Sequence, residues 1–111
     1  MGKFEISTRA DGDFMFNLKA SNGEVIMTSQ GYSAKSACQN GIASAKKHSK
    51  DRKMFKQEIA ANGKFYFNLT AANYQIIGTS QMYGSKQGRD NGIESVYENA
   101  ATAEVKDLTI L

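Results

Sequence analysis

The sequence predicts a single α+β domain built from two tandem copies of one unit, with about seven strands in one antiparallel sheet and two helices on the same face. Three observations predict it. Shifting the chain by 51 residues aligns 14–48 with 65–99 without a gap, and 16 of those 35 positions are identical, where average residue frequencies would give about two. Inside each copy the apolar residues first recur at every second position and then at every third or fourth, which is the change from strand to helix period. Two copies are also too few for an open solenoid, which takes about three units to be stable. A unit of about 50 residues is marginal alone, so the 111 residues read as one domain, 1–111, with repeat one at 1–51 and repeat two at 52–111.

The strands come first in each copy. Phe14, Phe16, Leu18 and Ala20 alternate with Met15, Asn17 and Lys19, and Phe65, Phe67, Leu69 and Ala71 alternate with Tyr66, Asn68 and Thr70. Both runs read as half-buried strands. Asp11-Gly12 and Asn62-Gly63 precede them and Asn22-Gly23 follows the first, dipeptides that supply the positive φ of tight hairpins. Residues 24–29 and 75–80 carry consecutive apolar residues, as a central strand does. With Phe4–Thr8 and Met54–Ala60, each copy becomes a three-stranded meander.

The helices follow at 33–48 and its counterpart. Ala34, Ala37, Cys38, Gly41, Ile42 and Ala45 make an amphipathic stripe, repeated as Ser85, Gly88, Gly92, Ile93, Val96 and Ala100 with Arg89 in place of Cys38. Ser33 is placed to cap the first helix. Asn40-Gly41 and Asn91-Gly92 would ordinarily mark turns, yet the stripe runs straight through them. A mid-helix glycine costs up to about 1 kcal/mol against alanine, and its compensation here is close approach of the helix to a phenylalanine-lined sheet. The final segment 104–111 alternates again and reads as a last strand. A strand after each helix can pair across to the other repeat and close one sheet.

The segments F-N-L-K-A-S-N-G-E-V-I and N-G-I-A-S-A, with F-N-L-T-A-A-N-Y-Q-I-I-G-T-S-Q-M-Y and N-G-I-E-S-V, resemble the YegP-like family of small, largely bacterial proteins of unknown function. The resemblance covers nearly the whole chain. It implies tandem β(3)αβ units in a single antiparallel sheet, helices on one face and C-terminal strands exchanged between repeats. It carries no activity, ligand, cofactor or catalytic residue. Asn73-Tyr74 in place of a second Asn-Gly departs from the first copy and puts that turn's type in doubt.

Composition excludes more than it proposes. Hydrophobic residues at 41% and charged residues at 23% are those of a globular domain. No run approaches the roughly 18 apolar residues of a membrane span, and no signal peptide is visible. Gly2 lacks the Ser or Thr that a myristoylation signal wants at position 6, which is Ile6. The single Cys38 excludes an internal disulfide and fits a reducing cytoplasm. No metal or cofactor is expected: there is one His, Asp11-Gly12-Asp13 is too short for a calcium loop, and no glycine-rich phosphate loop appears. Cys38 reads as a core thiol and His48 as a helix-end residue, so no catalytic residue is assigned.

The binding candidates fall in three groups. By parity, the sheet face away from the helices carries Met15, Asn17, Lys19, Tyr66, Asn68 and Thr70, with Val25, Met27 and Ile76 as further members. Such a face suits a protein partner, self or other, or simply faces water. Lys46, Lys47, Lys50, Arg52, Lys53 and Lys56 against Asp51 give residues 46–56 a local charge of +5 within a net +3. With Tyr66, that segment is the basis of an alternative, single-stranded nucleic acid. Third, Tyr32 and Tyr83, Lys35 and Lys86, and Asn40 and Asn91 recur at the strand-to-helix junctions, where two equivalent pockets, or an enzyme site, would lie.

Overall fold

A computed structural model describes residues 2–110. Repeat one gives β1 (Lys3–Thr8), β2 (Phe14–Lys19), β3 (Val25–Ser29) and α1 (Lys35–His48). Repeat two gives β4 (Phe55–Ile59), β5 (Phe65–Thr70), β6 (Ile76–Ser80) and α2 (Lys86–Asn99), and β7 (Glu104–Asp107) ends the series. The seven strands form one sheet in the order β4-β5-β6-β3-β2-β1-β7. A pseudo-two-fold axis runs between the antiparallel central strands β3 and β6.

The exchange of strands is as expected. β7 follows the helix of repeat two yet pairs with β1 of repeat one, while β4, which follows the first helix, opens the meander of repeat two by pairing with β5. One expectation is corrected: β7 runs parallel to β1, so the sheet is mixed. After α2 the chain re-enters the sheet opposite Lys3, where β1 begins, and continuing alongside keeps both strands in one sense. β1 and β7 are the first and last strands, so no hairpin joins them to impose an antiparallel sense.

The two hairpins inside the repeats turn alike. Gly23 (φ 87°) and Tyr74 (φ 67°) occupy corresponding left-handed positions, and each donates its N–H to an alanine carbonyl at 2.9 Å, Ala20 and Ala71 respectively. The residue substituted at the second tip therefore leaves the turn intact. Holding a tyrosine there costs about 1–2 kcal/mol.

Register sorts the faces. Phe16, Leu18, Phe67 and Leu69 are fully buried and join Phe4, Ile6, Cys38, Ile42, Ile93 and Val96 in one core, so both helices lie on the same side. Phe4 meets Phe16 edge to face at 5.5 Å, and Phe55 meets Phe67 at 5.8 Å. Met27 was expected on the opposite face. Instead it stands opposite Leu18 and is wholly buried, because the register slips between Leu18 and Lys19. Its side chain fills the space over Gly78, where a Cβ would lie 2.8 Å from Met27 Cγ.

Both helices run through their Asn-Gly pairs. The compensation is specific: a Cβ on Gly41 or Gly92 would collide with the hydroxyl of Tyr32 or Tyr83 and would lie 3.3 or 3.2 Å from the ring of Phe16 or Phe67. The N-terminal ends differ. α1 begins at Lys35, so Ala34 and not Ser33 is its N-cap, with no side-chain hydrogen bond. In α2 the N-cap Ser85 accepts from the Gly88 N–H at 3.0 Å. Ala34→Ser is expected to stabilise, and Ser85→Ala to destabilise, by about 1 kcal/mol each in urea unfolding. Equal midpoints for both variants and the parent would contradict this.

Candidate functional site

The sheet face without helices is a polar ladder. Directly paired residues run Lys106, Glu5, Asn17, Thr28, Thr79, Asn68, Lys56 from one edge to the other. Its amides are already engaged: Thr28 donates to Asn17 Oδ1 at 2.8 Å, and Thr79 to Asn68 Oδ1 at 2.7 Å. Lys19 lies 2.8 Å from Glu5, and that hydrogen bond holds the buried Glu5 carboxyl below its ordinary range. Of the six residues expected here, Asn68 and Thr70 are buried, and Thr70 donates to the Met54 carbonyl. Met15, Asn17, Lys19 and Tyr66 are half-exposed. Val25, opposite Lys19, is also half-exposed, and Ile76, opposite Thr70, is exposed.

Three cations of the basic segment, Lys46, Arg52 and Lys56, are engaged by contacts of their own. Arg52 binds both carboxylate oxygens of Glu94 on α2, the longer bond 2.8 Å, and stacks 4.0 Å from the Tyr97 ring centroid. This clamp keeps the Glu94 carboxyl ionised to lower pH than usual. Lys56 donates to the Lys53 carbonyl and sits over Tyr74, while Lys46 sits over Phe4. Lys47, Lys50 and Lys53 are exposed to solvent.

The junction residues assemble more coherently. A cleft of about 600 Å³ is lined by Gln30, Tyr32, Asn40, Gly41 and Ser44 of repeat one and by Ala71, Tyr74, Gln75 and Ile77 of repeat two. Its pseudo-symmetric counterpart, about 330 Å³, is lined by Gln81, Tyr83, Asn91, Gly92 and Ser95 and by Ala20, Glu24 and Ile26. Each cleft thus takes one wall from a helix and its junction, and the other from the opposite repeat's hairpin. Burial pushes the Tyr32 and Tyr83 hydroxyls above the ordinary range, so both remain protonated donors. The larger cleft is lined by no ionisable carboxylate or amine, whereas Glu24 lines the smaller. Lys35 does not join its junction neighbours. It bonds Asp107 on β7 at 2.9 Å, and together with Thr109 it lowers the Asp107 carboxyl to about 2, the Thr109 hydroxyl contributing most.

Cys38 is buried and desolvation pushes its thiol up. His48 Nδ1 is fastened to Ser44 one turn earlier, 2.9 Å from its carbonyl. Among the described residues no group of three His, Cys, Asp or Glu side chains could hold a metal ion, and no helix is long and apolar enough to cross a membrane. Sequence reasoning missed the Arg52–Glu94–Tyr97 clamp, because Arg52 is 42 or more residues from both partners and falls outside the identical positions. It also missed Tyr74 as a cleft residue, whose only sign was the break in the Asn-Gly pattern.

Comparison with known proteins agrees with the doubled architecture. A family model described as a domain of unknown function (DUF1508) matches twice, at residues 10–55 and 60–107. A UPF0339 protein of Acinetobacter baylyi is 56% identical, covering 97% of each chain. The UPF0339 protein YegP of Escherichia coli K12 is 50% identical over 97% of this chain and 98% of its own. The solution NMR structure of E. coli yegP, titled as a protein of unknown function, superposes with a TM-score of 0.91, covering 96% of this chain and 92% of that one. The solution structure of a Shewanella oneidensis UPF0339 protein, 53% identical, also gives 0.91, covering 96% and 91%.

Proposed function

The chain belongs to the DUF1508 family, and within that family we propose that it acts as a non-catalytic binding module whose ligand sites are the two junction clefts. One observation carries this reading. Four polar residues identical between the repeats (Gln30/Gln81, Tyr32/Tyr83, Asn40/Asn91 and Ser44/Ser95) line the two clefts in corresponding places. The open face is the weaker candidate, since its repeated polar residues Asn17/Asn68 and Thr28/Thr79 bond each other.

The chemistry of the larger cleft favours a neutral ligand. Tyr, Asn, Ser and Gln side chains offer donors and acceptors there, and Tyr74 and Ile77 add apolar surface. Tyr74 is 73% exposed at a left-handed position, so burial in this chain does not offset that conformation's cost; an aromatic wall for a ligand would. Charged ligands would lose their hydration without gaining a partner.

Screening uncharged amide- and hydroxyl-bearing fragments by amide chemical shifts tests the reading. Shifts are expected to cluster at residues 30–44 and 71–77, and Asn40→Ala should weaken binding about three- to tenfold, the value of one hydrogen bond. A screen that moves only residues of the open face, or none, refutes it.

A further inference from the structure

The two edges of the sheet are unlike. The outer side of β1 is occupied by β7, whereas β4 is an edge strand among the described residues. Two hydrogen bonds show which way the backbone of β4 turns. The Phe67 N–H bonds Ser80 Oγ, so Phe67 addresses β6 and its β4 neighbour Gln57 is left to direct its N–H and carbonyl outward. The equivalent residue of repeat one, Ile6, does this already: its carbonyl accepts from the Leu108 N–H at 2.9 Å. The backbone groups of Gln57 and Ile59, with the Phe55 carbonyl, thus form an outward-facing row of donors and acceptors, the Phe55 N–H being given to the Arg52 carbonyl.

The side chains of β4 exchange charge sign when the strand is reversed while the apolar ends stay apolar. Its sequence is Phe55, Lys56, Gln57, Glu58, Ile59: apolar, positive, neutral, negative, apolar. Phe55, Gln57 and Ile59 lie on the helix face and Lys56 and Glu58 on the open face. Ile59 is 64% exposed, and Glu58 forms no ion pair among the described residues. Charged residues on an edge strand ordinarily discourage pairing. Here they are set so that one particular antiparallel pairing brings opposite signs together.

We propose that the outer edge of β4 is a homodimer interface, in which two copies pair this strand antiparallel about a two-fold axis at Gln57. Lys56 then stands opposite the partner's Glu58, and Ile59 opposite the partner's Phe55. The two helix-covered layers fall on one side, and a single sheet of twice seven strands runs through the dimer. A two-fold interface must be self-complementary, and this strand meets that condition. Donation of β7 from one copy to β4 of another is the weaker arrangement, because it bares β1 in exchange.

Five residues a side make a small interface, so the expected dissociation constant lies between about 100 μM and about 1 mM. Sedimentation equilibrium of the full chain over that concentration range tests the proposal, with amide spectra confirming that each variant is folded. Gln57→Pro removes the central outward donor, at a position where an edge strand tolerates proline, and should abolish the dimer. Glu58→Lys sets like charges opposite and should weaken it about tenfold. Adding Lys56→Glu to that variant should restore it. A monomer at about 1 mM overturns the proposal. So does a dimer unaffected by Gln57→Pro, a charge-exchanged chain that stays monomeric, or a dimer that depends on Asp107 rather than on β4.

Discussion

Phe16→Ala is expected to lower folding stability by about 4 kcal/mol, read as a fall in the urea midpoint at unchanged slope. Phe16 has no solvent exposure, meets the ring of Phe4 edge to face, and carries its ring edge up to Gly41 on α1. Its neighbours are held by two backbones, a strand pair and a helix, so the void cannot close cheaply. A domain of this size has roughly 5–15 kcal/mol in all, so the variant would lose a large share of its stability. A loss below about 1 kcal/mol would mean that α1 does not rest on that ring.

Gly41→Leu is expected to cost about 3 kcal/mol by over-packing. Helix propensity opposes this, since a non-glycine residue gains up to about 1 kcal/mol in mid-helix. Sterics win because the new Cβ would meet the Tyr32 hydroxyl and lie 2.9 Å from its Cζ and 3.3 Å from the Phe16 ring. Tyr32 cannot swing clear easily: its backbone is bridged to Phe14 by two hydrogen bonds of 2.7 Å. Adding Tyr32→Phe should recover part of the loss, because the closest atom goes while Cζ stays. An unchanged midpoint for Gly41→Leu would place the helix farther from the sheet than it stands.

Repetition made the architecture legible before any coordinates. Phe14, Phe16 and Leu18 declared their inward face by alternation, and the strand copies told the same story twice. The helices were legible despite Asn40-Gly41 because apolar spacing outlasted the turn signal. What escaped was set by partners distant in sequence. The parallel sense of β7 depends on where α2 returns the chain, which period-two alternation does not encode. Met27 was misplaced because a register slip changes parity without changing composition. Ser33 was chosen as a cap by residue type, whereas the helix begins two residues later and leaves Ala34 in that role. The clefts were half legible: Tyr32, Asn40 and their counterparts were visible as repeated polar residues, but the opposing hairpin wall was not.

The near-identical halves also raise a question of partner choice, and the central seam answers it. Met27 and Gly78 occupy the same place in the two units, and the thioether of one fills the hollow of the other. Seam-to-seam association of two first units would force two thioethers into one hollow, and of two second units would leave a hollow with no filler. Unlike halves therefore recognise each other in preference to like ones. Covalent tethering then places the correct mate at high local concentration, so the doubled gene product assembles with itself instead of cross-matching between molecules.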